Sequence, residues 1–254
     1  MIASDRIETL QLREMHRIAL QQALESLAGI AEPLGVLVTG SIVRGNPGPA
    51  SDLDIVVLHA QPWRRRIQRW LNGTPVELFF NSGAWLEHCI RDEAEHGRPV
   101  MAHMLATGTL LVDTDGQMAS IVETAREVLG RGPCMSADAL LRDRYAAACQ
   151  VEDALDFEGV DSADGRQLLA SAVEAIVNHA YWRRNQFIPR PKERLAVLAG
   201  FEPEVARLLS SALIEPSSVA LHALKQAAEQ VLGTAGFFEW DSGQDNVLPP
   251  LAKD

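Results

Sequence analysis

Asp52 and Asp54 stand one residue apart at the head of an apolar run, Ile55-Val56-Val57-Leu58. In a strand, side chains two residues apart share a face and the rise is about 3.3 Å per residue. The two carboxylates then emerge side by side, about 6–7 Å apart at the backbone. At ~5 Å and an effective dielectric of about 20 they repel by roughly 3 kcal/mol, equivalent to about two pKa units. A divalent cation removes that cost, although Asp-x-Asp at a strand edge is equally what a solvated turn contains. The segment ahead adds a second chemistry. Val36-Leu37-Val38-Thr39 runs into Gly40-Ser41 and then a Gly/Pro-rich loop. A Gly-Ser pair after a buried strand predicts a turn into a helix whose first N–H groups face outward, a natural anion site. Gly40 lets the backbone approach a phosphate, and the Ser41 hydroxyl can donate to it. A cation site beside an anion site points to a metal–nucleotide complex.

Glu77 lies inside an otherwise apolar segment, Thr74-Pro-Val-Glu-Leu-Phe-Phe80. A mid-strand glutamate is usually the solvent face of its strand. Beside Asp52 and Asp54 it has another use: neighbouring strands lie ~4.8 Å apart, so Glu77 can share a metal with the pair.

The elements that must position these residues follow from periodicity. Residues 4–29 read as an amphipathic helix, with Ser4 as N-cap and Leu10, Leu20, Ala23, Leu24 and Leu27 on one face. Strands are predicted at 34–39, 52–59 and 75–80, the second apolar enough to be covered on both faces. Residues 62–71 are predicted helical, ending at Asn72-Gly73. Helices follow at 82–95 and 99–106, then a strand at 109–112 and a helix at 117–129. Gly130-Arg-Gly-Pro133 is the best boundary. Beyond it, 137–157, 164–185, 192–199, 202–213 and 216–232 all favour helix, and the segment from Gly236 is irregular. An α/β unit at 1–131 followed by an all-helical unit at 134–254 is the expected layout.

With 254 residues the chain has ample core for one large or two ordinary domains. No uncharged apolar run is long enough to span a membrane, and the early charges at Asp5 and Arg6 do not fit a secretory signal. Cys89, Cys134 and Cys149 form no CxxC pair, which suggests reduced thiols and a cytoplasmic location. The net charge of −11 makes nucleic acid an unfavourable non-specific partner. His16, His59, His88, His96, His103 and His222 form no ligand constellation, so zinc is not implied.

Gly40-Ser41, the gap to Ser51-Asp52-Leu53-Asp54, and Glu77 in an apolar strand together resemble the nucleotidyltransferase superfamily of the DNA polymerase β type. Arg44-Gly45 in the loop is similar to many bacterial members. The resemblance covers roughly residues 35–80. It implies an α+β (α/β-like) catalytic domain with a mixed sheet, followed by a helical bundle. Residues 166–200, from Arg166-Gln-Leu-Leu through Tyr181-Trp182 to Pro191-Lys192, resemble the helical domain of streptomycin/spectinomycin adenylyltransferases, enzymes of antibiotic resistance. In that family the lysine contacts the ATP phosphates, and Lys192, one of three lysines in the chain, matches it. The family's helix arginine is replaced by His179, with Arg183 or Arg184 as substitutes. Its stacking tryptophan has no aromatic counterpart near Val100, and its drug-binding acids have approximate counterparts in Asp161 and Asp164.

The resemblance implies a Mg²⁺- and ATP-dependent enzyme. Asp52 and Asp54 hold the metal, and Glu77 ligates a second ion or acts as general base. The triphosphate rests on Gly40-Ser41. Ser51 orients the loop or a phosphate, or is a simple turn residue; Arg44 neutralises phosphate or is merely an exposed loop arginine. AMP passes to a hydroxyl of a small acceptor, a cationic aminoglycoside among the candidates, received by acids such as Glu152, Asp153, Asp156 and Glu158 unless these are a solvated face. The alternative is a protein- or tRNA-modifying transferase of a toxin–antitoxin system. Against tRNA, the one basic cluster, Arg64, Arg65, Arg66 and Arg69, is spread around its predicted helix.

Overall fold

A computed structural model describes residues 7–157 and 161–244. The chain divides into two compact units, 1–132 and 133–254. In the first, helix α1 (Glu14–Leu27) is followed by strands β1 (Gly35–Thr39), β2 (Leu53–Leu58), β3 (Arg65–Leu71) and β4 (Thr74–Asn81). Helices α2 (Gly83–Glu95) and α3 (Val100–Thr107), strand β5 (Thr109–Asp113) and helix α4 (Gln117–Arg131) complete it. The sheet order is β3-β4-β2-β1-β5. Only β2 and β4 run parallel; β1–β2, β1–β5 and β3–β4 are antiparallel. A mixed sheet with helices, followed by a helical region, is the architecture the sequence implied.

Alternation within the strands sorts the core into two layers. Val36, Val38, Leu53, Ile55, Val57, Val76, Leu78 and Phe80 face α1, which buries Ala19, Leu20, Ala23, Leu24 and Leu27 against them. Leu37, Val56 and Leu58 face the other way, onto Leu86 and Ile90 of α2, Leu105 of α3, and Met118 and Ile121 of α4. Beyond Asp54 both faces of β2 are therefore dry, which is why its sequence there reads as one apolar run. Burial of such side chains contributes about 25 cal/mol per Å² of apolar surface.

Two local expectations are corrected. Residues 62–71 do not form a helix; they enter β3, the edge strand of the sheet. Asn72 (φ 44°) and Gly73 (φ 73°) take left-handed conformations between β3 and β4, the two-residue turn whose twist matches a hairpin. Cross-strand pairing over seven registered residues, Arg65↔Phe80 to Leu71↔Thr74, outweighs the helix propensity of the arginines. The predicted helix is interrupted: residues 7 and 8 are helical, 9–13 are not, and α1 begins at Glu14. Leu10 and Leu12 both pack on the core, and a helix cannot put residues two apart on one face. Ser4 lies outside the described residues.

The second unit contains α5 (Ala137–Asp156), α6 (Ala163–Trp182), a 3₁₀ turn (Pro191–Glu193), α7 (Arg194–Leu198), α8 (Pro203–Ile214) and α9 (Ser217–Leu232). Its core is rich in alanine, including Ala147, Ala148, Ala172, Ala180, Ala223, Ala227 and Ala228. Small side chains let the helices approach closely. Tyr181, near the end of α6, is 1% exposed and donates its hydroxyl proton to the Arg194 carbonyl at 2.6 Å, so the buried ring leaves no unpaired polar atom. No helix among the described residues is long and apolar enough to cross a membrane.

The tightest backbone approach lies under the sheet. A Cβ on Gly108 would come within 2.2 Å of Leu37 Cδ2 and 2.9 Å of the Met104 carbonyl oxygen. Gly108→Ala is expected to lower stability by about 1–3 kcal/mol, the usual cost of overpacking. Thermal melts of the parent and variant check it; an unchanged Tm would mean that α3 and β1 can separate freely.

Candidate active site

The parallel register of β2 and β4 sets Asp54 opposite Glu77. Asp52, two residues before Asp54, falls on the same face. One oxygen from each of these three carboxylates lies within 4.8 Å of the others. Glu77 is buried, and both aspartates are half-buried. The three acids singled out in the sequence therefore converge at one end of the sheet face that α2–α4 cover further along.

Electrostatics follow from the crowding. Burial, then Asp52, then Glu77 push the Asp54 carboxyl up from its ordinary 3.8 to about 7, while Arg66 and Arg44 pull it back. A hard divalent cation takes oxygen ligands, commonly one or two carboxylates plus phosphate oxygens, and its charge relieves the repulsion that raises Asp54. The donor set thus fits a metal of the Mg²⁺ type. A further polar atom sits beside it. Thr39 is the register partner of Asp54 across β1–β2, so their side chains share a face. Thr39 is fully buried, and its Oγ1 has no hydrogen-bond partner among the described residues.

The Gly40-Ser41 segment is a turn, not the start of a helix. Arg44 N–H donates to the Gly40 carbonyl at 3.2 Å, and Asn46 N–H to that of Ser41 at 3.0 Å. Gly40 is demanded twice: its φ is +99°, and a Cβ there would lie 2.7 Å from Asp54 Oδ2. The bare α-carbon is what lets the turn press against the carboxylate. Ser51 ties this turn to the loop leading into β2. Its Oγ accepts from Gly48 N–H at 2.8 Å and lies 2.7 Å from Ser41 Oγ. Arg44 is partly exposed on the turn, and its charge is felt at Asp54.

Sequence reasoning missed the β3 side of the site. Arg66 Nη2 donates to both Glu77 oxygens, at 2.8 and 2.6 Å, and its guanidinium lies 5.0 Å from the Phe79 ring centroid. Gln68 is the register partner of Glu77, and Trp70 that of Pro75. A cavity of about 260 Å³ is lined by Asp52, Gln68, Arg69, Trp70, Pro75, Val76 and Glu77. Trp70 also lines a second cavity, of about 680 Å³, whose walls include Arg13, His16, Pro47 and Ser51. The signal was present in Asn72-Gly73, a hairpin turn pair that makes the preceding Arg66, Gln68 and Trp70 alternate onto one face.

In the helical unit, Lys192 is exposed on the 3₁₀ turn. His179 is buried, with Nδ1 2.6 Å from Asp143 Oδ2, so it is committed within the bundle and presents no phosphate ligand. Arg183 and Arg184 both pair with Glu202. Asp161 bonds Arg166 at 2.9 Å and also Ser217. Asp153, Asp156 and Asp164 are exposed, Glu152 is half-buried, and Glu158 lies outside the described residues.

Residues 19–103 match the family model described as a nucleotidyltransferase domain. That span holds Gly40, Ser41 and all three carboxylates, and it makes the chain a nucleotidyltransferase by enzyme class. No curated protein matches the chain. Among solved structures, the chain is similar to a nucleotidyltransferase-like protein from Exiguobacterium sibiricum 255-15, at 12% identity and a TM-score of 0.47. The similarity covers 85% of this chain and 73% of that one.

The raised Asp54 carboxyl has a definite sign in stability. Between its ordinary 3.8 and about 7, the folded chain holds a proton that the unfolded chain releases. Stability then falls as pH rises through that window. Asparagine cannot ionise, so Asp54→Asn in metal-free buffer should melt above the parent at about pH 8, with the gap closing toward about pH 4. Melts across that range check it, and a gap independent of pH would contradict a buried, repelled Asp54.

Proposed function

We propose that this protein transfers a nucleoside monophosphate, AMP from ATP, to a hydroxyl of a small acceptor and releases pyrophosphate. The single observation that carries this reading is the convergence of Asp52, Asp54 and Glu77 beside a glycine turn. In it, residues 1–131 are the catalytic domain and residues 134–254 serve nucleotide and acceptor binding.

Asp52, Asp54 and Glu77 are the residues that would hold Mg²⁺, which when bound neutralises triphosphate charge and polarises the phosphorus under attack. The remaining work falls to the chain. The turn at Gly40-Ser41 receives the triphosphate through backbone N–H groups and the Ser41 hydroxyl, with Ser51 holding that hydroxyl in place. Arg44 adds positive charge where negative charge accumulates. Lys192 serves as a cationic phosphate ligand. Glu77 takes the proton of the acceptor hydroxyl. The acceptor oxygen forms its bond to the α-phosphorus as the bond from that phosphorus to the bridging oxygen breaks, and the electron pair leaves with pyrophosphate.

The acceptor enters through the cavity that Glu77 lines with Trp70. An aminoglycoside is the acceptor class suggested by the resemblance of residues 166–200. One observation favours the second reading, transfer to a protein or tRNA hydroxyl as in toxin–antitoxin systems. The cavity that Glu77 lines also carries Arg69 and an exposed indole, 73% accessible at Trp70. Such an indole offers a flat face for stacking a ring.

Pyrophosphate release from ATP with Mg²⁺, with and without a panel of aminoglycosides, tests the reading. Chelation of divalent metal should abolish turnover. Asp52→Asn, Asp54→Asn and Glu77→Gln should each lower kcat/KM by about 10²–10⁴, the range expected for a positioned acid–base group. Full activity in Asp52→Asn and Glu77→Gln would end the assignment. ATP consumption stimulated by a protein or tRNA fraction but by no aminoglycoside would move the acceptor to the second reading. Lys192→Met should raise KM for ATP about tenfold while kcat changes less, as loss of a ground-state phosphate contact predicts.

A further inference from the structure

Glu77 is not an idle carboxylate in this structure, and its partner has the properties of a temporary one. A single nitrogen, Arg66 Nη2, serves both oxygens, so the pair lacks the two parallel bonds of the strong arginine fork. The Arg66 side chain is 58% exposed where that of Glu77 is 9%, and ion pairs with a solvated partner are cheap to open. Arg66 also has somewhere else to rest: its register partner on β4 is Phe79, and the guanidinium already lies over that ring. The other buried glutamate among the described residues, Glu202, is held by two arginines at once, which is what a permanent clamp looks like.

Charge counting gives the pair its meaning. With a divalent cation keeping all three carboxylates ionised, the cluster within 4.8 Å carries −3, and Arg66 brings it to −2 before Arg44, whose charge also reaches Asp54, is counted. One divalent cation neutralises that. A second would leave an excess of +2, unless an anionic triphosphate arrives with it. We propose that Arg66 is a positioning residue that occupies Glu77 in place of a second cation. It thereby keeps the free enzyme at one bound metal and makes Glu77 available only when nucleotide brings further negative charge. The inference rests on the metal-dependent reading above.

Direct Mn²⁺ titration of the nucleotide-free chain, by calorimetry or electron paramagnetic resonance, tests it without any turnover. Arg66→Met should tighten Mn²⁺ binding about tenfold or add a second bound ion, since both Glu77 oxygens, no longer held by the guanidinium, are released to ligate. Arg66→Lys, which keeps the charge, should stay near the parent. In the double variant Arg66→Met/Glu77→Gln the gain should vanish relative to Glu77→Gln alone, because the effect passes through that carboxylate. Unchanged or weaker Mn²⁺ binding in Arg66→Met, while Asp54→Asn weakens it, would overturn the role of Arg66 and leave the metal site standing. If Asp54→Asn and Glu77→Gln also left Mn²⁺ binding untouched, the metal reading itself would fall, and this inference with it.

Discussion

Parallel pairing of β2 with β4 is the constraint from which the rest of this site follows. It fixes Asp54 opposite Glu77, and strand alternation then places Asp52 on the same face. Once three acids are gathered, every neighbour is limited by them. Gly40 must lack a side chain, because its α-carbon backs directly onto Asp54. Position 39, across the ladder, becomes a fully buried threonine with an unpaired hydroxyl. Arg66 is drawn onto Glu77. Crowded carboxylates cost stability, and a fold selected for stability alone would replace them.

The helical unit shows how the same chain pairs its buried polar groups with its own side chains. These are self-sufficient groups: His179 is hydrogen-bonded to Asp143, and Glu202 is held by two arginines, Arg183 and Arg184. The cluster on the sheet is different in kind, since three carboxylates crowd within 4.8 Å of one another and Arg66, the partner of Glu77, is largely exposed. That imbalance separates charges that hold a fold from charges that await a ligand.

Much of this was legible in the sequence, for identifiable reasons. Asp52-x-Asp54 needed only strand alternation, and Glu77 stood out because its neighbours are apolar. The two-unit layout followed from the Gly/Pro cluster at 130–133 and the change from period two to period 3.6. The β3 side was not legible in the same way. Arginine, glutamine and leucine carry good helix propensity, and between Trp63 and Leu71 that local preference masked a weak alternation that only the partner strand enforces. Misreading it as a helix scattered Arg66, Gln68 and Trp70 around a cylinder, when the hairpin lines them up beside Glu77. The turn at Gly40-Ser41 was placed correctly and given the wrong shape, because the sequence does not reveal that Gly48 and Ser51 fold back to hold it.

The position of β3 has one more consequence. As the outermost strand, it exposes an unpaired row of backbone donors and acceptors, the kind of template on which another chain's strand can add. Arg65, Arg66 and Arg69 stand along that border, and like charges meeting across a would-be joint discourage two sheets from fusing. The strand that brings a cation to the carboxylates thus also guards the open border of the sheet. A variant stripped of those arginines to alter chemistry would acquire a tendency to self-associate that has nothing to do with catalysis.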